Sequence, residues 1–358
     1  MRACLAVLLF LTSCSGAGPA RDASHLPASA PARSAAVDPA LQSSIAKGLA
    51  CVARAYDGNS FRDDYLQYEY AGEAVVSPLD GYRLTYRILD AYFIVLMLRQ
   101  AGVAPGEAGG LFDRAEAVTT ALVPAWRAKG IYNLRRKPAR DGIALDTYAI
   151  LAVLRQDAAM GRVVEAGLDG DGWLAADFYV GDEAFRRLAD ESWAARALLI
   201  ANPTKGLEVV RGICRQAVQG LGTETDPLAR ANLVIHALGA LGDLPRPGGA
   251  GLDDLLPPLR DEGLRLLQQE AIRHDTLTLG NLVGALISGR VVAAEAIAPA
   301  IQDLAGRQNA DGCWLASLDP NDSSARVFAT LRVALTLGQY ATLRGDTDRN
   351  DTNRPAGR

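Results

Sequence analysis

The sequence predicts an all-α protein, and specifically an (α/α)6 toroid of alternating inner and outer helices. Apolar residues recur with helical spacing through most of the chain, whereas strand-like alternation is scarce. Strongly apolar helical segments alternate with visibly amphipathic ones, and each kind occurs six times. The spacing also suits an open solenoid of stacked helix pairs. Six pairs favour a closed ring, with the apolar helices inside and the amphipathic helices around them.

Residues 1–13 are expected to be a signal peptide. Arg2 supplies a positive charge, and Leu5 to Leu11 form an apolar stretch that is too short to span a bilayer. "LTSC" at 11–14 resembles the lipobox of bacterial lipoproteins. This resemblance implies that Cys14 becomes the first mature residue and carries the lipid, and that Ser15 directs the protein to the outer membrane. The alternative is an ordinary cleaved signal with an incidental Cys14.

The chain after the signal divides into a tether, a domain and a tail. Residues 14–38 hold the lipidated Cys14 and a flexible tether rich in Ala, Ser and Pro. Residues 39–343 form the toroid domain, and the polar residues 344–358 are expected to be disordered. The expected location is the cell envelope, on the outer membrane and facing the periplasm.

Each inner helix is predicted to begin near an aspartate, because its side chain accepts the unpaired amides of the first turn. Pro227 supports this at one helix, since proline after a cap is favoured. The predicted caps are Asp80, Asp146, Asp190, Asp226, Asp275 and Asp322. The inner helices are predicted over 78–98, 144–154, 188–200, 224–241, 273–287 and 321–337, and the outer helices over 39–56, 111–128, 158–167, 204–220, 252–272 and 292–307.

"RQNADGCW" at 307–314 carries the main resemblance to a known fold. The spacing of Gln308, Gly312 and Trp314 resembles the Gln–Trp repeat of the triterpene cyclase and prenyltransferase superfamily, whose members are α/α toroids. In that family the Gln and Trp side chains tie the loop after an outer helix to the next inner helix. Gly172 and Trp173 form a weaker copy without the Gln.

The chemistry of that superfamily does not transfer with the motif. The cyclase Asp-x-Asp-Asp motif is absent from the sequence, and aromatic residues are only 6% of the chain. Asp311 and Cys313 match the spacing of a prenyltransferase zinc site, but no histidine follows them. A structural loop is therefore expected here, and the alternative is a zinc site of Asp311, Cys313 and either His236 or His274. No cofactor is predicted. Cys51 and Cys214 are expected to be buried thiols outside any disulfide framework.

A tyrosine-rich segment, 65–92, is the main candidate site. Its helical spacing places Tyr82 with Tyr86, and Arg83 with Arg87, on shared faces. Tyrosines with guanidinium groups suit a sugar that carries hydroxyls and a negative charge. The candidate ligand-binding residues are Tyr68, Tyr82, Arg83 and Trp193, and the candidate catalytic residues are Asp80, Asp146, Tyr86 and Arg87. The alternative is that this segment is ordinary amphipathic packing.

Polar residues also occur within the apolar inner helices, where a purely structural helix would be apolar. Their positions are Tyr148, Ser192, Trp193, Arg196, Arg230, Asn232, His236, Thr278, Asn281, Arg326 and Thr330. Arg230 follows the predicted cap Asp226 by four residues, so an ion pair between them is expected. His236 is expected to be a hydrogen-bonded core histidine.

These observations bound the function without naming a reaction. The net charge of -4 argues against nucleic acid as a partner. The expected partners are the membrane, through the lipid anchor, and a glycan or an envelope protein. The first expectation is carbohydrate binding or processing at the toroid mouth. The alternatives are a non-enzymatic envelope scaffold and isoprenoid processing, and whether the chain is an enzyme stays open.

Overall fold

The computed structural model describes residues 38–55, 131–132, 143–144, 149, 152–153, 157–170, 182–242, 244, 251–318 and 326–352. All of them belong to the compact unit Ala35–Arg358. This part of the chain is mostly helical, which confirms the all-α prediction. The exception is a short parallel pair in which β1, Ile131–Tyr132, pairs with β2, Ile143–Ala144.

The observed helices match most of the predicted segments in the described part of the chain. They are α1, Pro39–Ala55; α2, Ala158–Gly170; α3, Asp182–Ala201; α4, Pro203–Leu221; α5, Pro227–Gly239; α6, Leu256–Leu266; α7, Glu270–His274; α8, Thr276–Ser288; α9, Ala294–Gly306; and α10, Arg326–Thr352. The predicted outer helix 252–272 is interrupted, since it forms α6 and the short α7. The predicted segments 78–98 and 111–128 lie outside the described residues. In the predicted inner helix 144–154, Ala144 belongs to β2, residues 149 and 152–153 are helical, and the other residues lie outside the described ones.

Two of the predicted aspartate caps are confirmed. The Asp226 side chain accepts a hydrogen bond from the Ala229 amide at 2.8 Å, and that of Asp275 accepts one from the Thr278 amide at 2.7 Å. The cap predicted at Asp190 is wrong, because α3 already begins at Asp182 and runs through that position. Asp80, Asp146 and Asp322 lie outside the described residues.

The helices of the two predicted kinds pack in a regular order. Helices α3, α5, α8 and α10 contact one another in succession along the chain. The amphipathic helices bridge neighbouring members of this series: α4 contacts α3 and α5, α6 contacts α5 and α8, and α9 contacts α8 and α10. The first helix, α1, packs against the last helix, α10. The two ends of the domain's sequence are therefore in direct contact.

The last helix is longer than predicted. Helix α10 continues to Thr352, so the expected disorder from residue 344 is wrong for residues 344–352. The polar composition of this stretch misled the prediction, because a polar sequence can extend a helix that is already nucleated by a packed apolar segment. Residues 353–358 lie outside the described residues.

Glu262 on α6 binds two arginines, Arg230 of α5 and Arg265 of its own helix. Its carboxylate contacts Arg230 Nε at 2.6 Å and Arg265 Nη2 at 2.6 Å. The predicted pairing of Arg230 with Asp226 is therefore wrong, since the Asp226 carboxylate caps α5 and Arg230 turns to the neighbouring helix. Burial alone raises the pKa of Glu262, but the hydrogen bonds from Arg265 and Arg230 outweigh it and lower the pKa to about 2.

We expect Glu262→Gln to destabilise the protein at pH 7 by roughly 1–3 kcal/mol, because Arg230 then loses its carboxylate partner. A carboxyl group whose pKa is lower in the folded than in the unfolded protein stabilises the folded state at pH values above its unfolded pKa. That contribution is lost as the pH falls from about 4.5 toward 2. Urea unfolding at pH 7 and at pH 3 measures the difference between wild type and variant. A difference that stays the same at both pH values would contradict the assignment.

Candidate functional site

One cavity of about 340 Å³ lies among the helices that contact one another in succession, α3, α5, α8 and α10. On each of these helices, the residues that line the cavity have the spacing of a single helical face. Helix α10, for example, contributes Phe328, Arg332, Leu335, Thr336 and Gln339. The other lining residues are Ser192, Trp193, Arg196, Ile235, His236, Gly239, Gly242, Gly280, Asn281, Gly284, Ala285 and Ser288. Its volume is at the lower end of the range for small-molecule sites, about 300–1,000 Å³.

Two arginines line this cavity, and each lies over an aromatic ring. The guanidinium carbon of Arg196 is 4.5 Å from the centre of the Trp193 ring. That of Arg332 is 4.9 Å from the centre of the Phe328 ring. An aromatic face orients a guanidinium group. Among the described residues that line the cavity there are two arginines and no Asp or Glu.

His236 on α5 lines the same cavity and is half-buried. Burial is the main cause that lowers the pKa of His236 to about 4, and the positive charge of Arg332 lowers it too. At neutral pH the imidazole is therefore uncharged and offers one hydrogen-bond donor and one acceptor.

Hydrogen-bonding side chains and glycine positions of the helix backbone also line the cavity. Gln339 Nε2 donates to Ser288 Oγ at 3.0 Å, which links α10 to α8. Thr336 Oγ1 lies 2.9 Å from the Gly280 carbonyl oxygen. A Cβ at Gly239 would meet no atom within 4 Å, so the cavity reaches the backbone of α5 there. The arrangement suits a ligand that has a negative charge, polar groups and a ring or other flat surface.

Several residues named as candidates or as polar positions of the predicted inner helices line this cavity. Trp193 was a predicted ligand-binding residue and lines the cavity, as do Ser192, Arg196, His236 and Asn281 from the polar positions of the inner helices. The other candidates, Asp80, Asp146, Tyr68, Tyr82, Arg83, Tyr86 and Arg87, lie outside the described residues. Reasoning from sequence missed the α10 face. The signal was available, because Phe328, Arg332 and Gln339 are four and seven residues apart in a helical segment.

The Gln308–Trp314 loop is hydrogen-bonded to the helices on both sides of it. Trp314 Nε1 donates to the Leu304 carbonyl oxygen of α9 at 2.7 Å, and the Trp314 amide donates to Thr330 Oγ1 of α10 at 3.0 Å. Gln308 Nε2 lies 2.8 Å from the Gly312 carbonyl oxygen, within the loop. The loop is therefore bound to α9 before it and to α10 after it.

The same loop is also bound to α1. Gln308 Nε2 lies 2.8 Å from the Ser44 carbonyl oxygen, and Arg54 Nη2 lies 2.6 Å from the Asp311 carbonyl oxygen. Gly312 has a φ of 89°, and a Cβ there would lie 2.6 Å from the Lys47 carbonyl oxygen. Both the backbone angle and the close approach of α1 therefore require glycine at this position.

A disulfide bond joins Cys51 of α1 to Cys313 of the loop. The prediction that Cys51 is a buried thiol outside any disulfide is therefore wrong, whereas Cys214 is a free, buried cysteine as expected. The alternative zinc site also loses its ligands. Cys313 has no thiolate while the disulfide is intact, and the Asp311 carboxylate pairs with Arg326. In the described part of the chain, no group of three His, Cys, Asp or Glu side chains is arranged to hold a metal.

Comparisons with known proteins do not assign the chain to a family. No known protein-family model matches the sequence, and no curated protein matches it significantly. Among the helices of the described residues, none has the length and apolar character needed to cross a membrane.

Proposed function

We propose that this chain is a lipid-anchored cell-envelope protein that binds an acidic carbohydrate in the cavity between α3, α5, α8 and α10. The single observation that carries the ligand class is the pair of arginines on aromatic rings, Arg196 on Trp193 and Arg332 on Phe328. Guanidinium groups bind carboxylates and phosphates, and aromatic faces pack against the apolar faces of sugar rings.

The domain is proposed to close as an (α/α)6 toroid. The successive contacts of α3, α5, α8 and α10 support this, as does the packing of α1 on α10. The prediction of inner helices over 78–98 and 144–154 is part of this proposal.

The envelope location is supported by two independent features of the sequence and structure. The first is the "LTSC" motif at 11–14, which on this proposal directs attachment of the lipid to Cys14. The Cys51–Cys313 disulfide fits an oxidising compartment such as the periplasm, because structural disulfides are rare in reducing cytosol. The outer membrane, facing the periplasm, remains the proposed site.

The ligand class is tested by thermal unfolding of the full-length protein in mild detergent, with oligogalacturonate, neutral gluco-oligosaccharides and farnesyl diphosphate as probes. Binding to the native state raises the melting temperature, and a ligand at 100 times its Kd adds about 2.7 kcal/mol. We expect oligogalacturonate to raise the melting temperature and the neutral sugars to leave it unchanged. A shift with farnesyl diphosphate alone would favour the isoprenoid alternative and contradict the proposal.

The assignment of the binding site to this cavity is tested by Gly239→Leu. This variant places a side chain in the cavity from α5, at a position where a Cβ would meet no atom within 4 Å. The matched control is Gly212→Leu on α4. A Cβ at Gly212 would also meet no atom within 4 Å, and Gly212 does not line the cavity. The shift with oligogalacturonate should vanish in the first variant and persist in the second. Equal shifts in both variants would place binding elsewhere.

A further inference from the structure

Two adjoining hollows lie among α7, α8 and α9. The smaller hollow has a volume of about 120 Å³ and the larger one about 450 Å³, and both have Gln268, Arg273 and Asp303 in their walls. Neither shares a lining residue with the cavity between α3, α5, α8 and α10. A ligand bound in these hollows would therefore leave the proposed carbohydrate site free.

The smaller hollow is mainly apolar. Its lining residues other than the three shared ones are Leu267, Leu279, Ala296, Pro299 and Ala300. For comparison, a dry apolar cavity of about 150 Å³ in another protein holds a benzene molecule. The volume of about 120 Å³ therefore suits a branched aliphatic group of about four carbons.

A single carboxylate, that of Asp303, serves two arginines where the hollows adjoin. Asp303 Oδ2 accepts a hydrogen bond from Arg307 Nη2 at 2.7 Å, whereas Nε and Nη2 of Arg273 are both 3.5 Å from it. The side chain of Arg307 is 9% exposed and that of Arg273 is 57% exposed. Charge-assisted bonds between nitrogen and oxygen are about 2.7–2.9 Å long, so Arg273 is held loosely and can turn to another anion.

The charges around this point leave a positive group for a ligand. Hydrogen bonds from Arg307 are the main cause that lowers the pKa of Asp303, so its carboxylate is charged at neutral pH. Two guanidinium groups then share one negative charge. Glu270 lines the larger hollow, where its side chain is 90% exposed and pairs with His274 at 3.5 Å. Water and salt screen the charge of such an exposed carboxylate.

We infer that the two hollows bind an aliphatic carboxylate, with its branched chain in the smaller hollow and its carboxylate on Arg273. Because Arg273 lines both hollows, the apolar wall and the guanidinium group are adjacent. A guanidinium group binds a carboxylate through two parallel hydrogen bonds, which a neutral amide cannot reproduce. A free short-chain acid offers this chemistry, and so does the carboxyl terminus of a peptide that ends in an aliphatic residue.

Saturation-transfer NMR titrations of the full-length protein in mild detergent at pH 7 test this inference with isocaproate, isocaproamide and acetate. Isocaproate has both the branched chain and the carboxylate, whereas each of the other probes lacks one of them. We expect isocaproate to bind at least roughly tenfold more tightly than either. Equal affinity for the acid and the amide would overturn the role of Arg273, and failure of isocaproate to bind would overturn the site.

Two variants test the location of the site, and uptake of the probe by micelles would respond to neither. Arg273→Gln should lower the affinity for isocaproate to that for isocaproamide. Its control is Arg260→Gln, since Arg260 pairs with Asp261 and lines neither hollow. Ala296→Leu should abolish binding of both probes, because it fills the smaller hollow from an exposed position on α9. Its control is Gln302→Leu, which is exposed on the same helix and lines neither hollow. Unchanged binding in Arg273→Gln or in Ala296→Leu would overturn the inference.

N-acetylleucine and a pentapeptide that ends in leucine distinguish the two sources of the carboxylate. Comparable affinities would show that the aliphatic acid alone is recognised. Binding of the peptide that is tighter by roughly tenfold or more would assign the carboxylate to the end of a partner protein. Equal binding of the peptide and its carboxyl-terminal amide would contradict recognition of a carboxylate from either source.

Discussion

Replacing Trp314 with alanine should destabilise the folded protein by about 3–5 kcal/mol, as expected for a large aromatic side chain in a packed interior. Trp314 is 0% exposed and lies against Gly48 of α1, where a Cβ would come 2.6 Å from the indole ring. Its indole also fixes the end of α9 through the Leu304 carbonyl oxygen. The substitution therefore removes packing among α1, α9 and α10 together, and the free energy of unfolding in urea measures the loss.

Two further variants separate the contributions of Trp314. Trp314→Phe keeps an aromatic ring but leaves the Leu304 carbonyl oxygen without its donor, which should cost about 1–3 kcal/mol. Trp193→Ala is the control for loss of an indole outside the core, since Trp193 is only half-buried beside the cavity. It should destabilise less than Trp314→Ala. A loss below about 1 kcal/mol for Trp314→Ala would show that the loop is not an anchor.

Removing the Cys51–Cys313 disulfide, by the double substitution Cys51→Ala with Cys313→Ala, should cost about 2–4 kcal/mol. The bond joins residues 262 positions apart, so it restricts the unfolded chain over most of the domain's length. Thermal unfolding with and without a reductant measures the same contribution. Reductant should lower the melting temperature of wild type and leave that of the double variant unchanged.

The disulfide experiment has an internal control and also tests the envelope location. Cys214→Ala should keep the sensitivity to reductant, because Cys214 is free and buried. Peptide mapping of protein that was alkylated at the moment of cell lysis should recover Cys51 joined to Cys313. Recovery of both residues as alkylated thiols would contradict the disulfide in the cell and would weaken the proposed periplasmic location.

Much of the described fold followed from local patterns in the sequence. The caps at Asp226 and Asp275 were identifiable because a cap and the amides that it binds are three residues apart. The Gln308 loop was identifiable from a short motif. These features depend on neighbouring residues, so the sequence alone carries the necessary information.

The features that were missed depend on distant residues. The partner of Cys51 is 262 positions away, and the partner of Arg230 is on the next helix. Nothing in the local sequence distinguishes Glu262 from Asp261, the other acidic residue of α6. The cavity was partly predictable, because polar residues in apolar helices mark it, but their convergence required the packing of α3, α5, α8 and α10.

The separation of Cys51 from Cys313 has a consequence for biosynthesis. On the proposed route of export, Cys51 reaches the oxidising compartment before Cys214, and Cys214 before Cys313. An oxidant that acts on the first two thiols would join Cys51 to Cys214, and the two electrons would pass to that oxidant. In the folded protein Cys214 is buried on α4 beside the Ala237 carbonyl oxygen of α5, so packing of α4 on α5 withholds its thiol from this reaction.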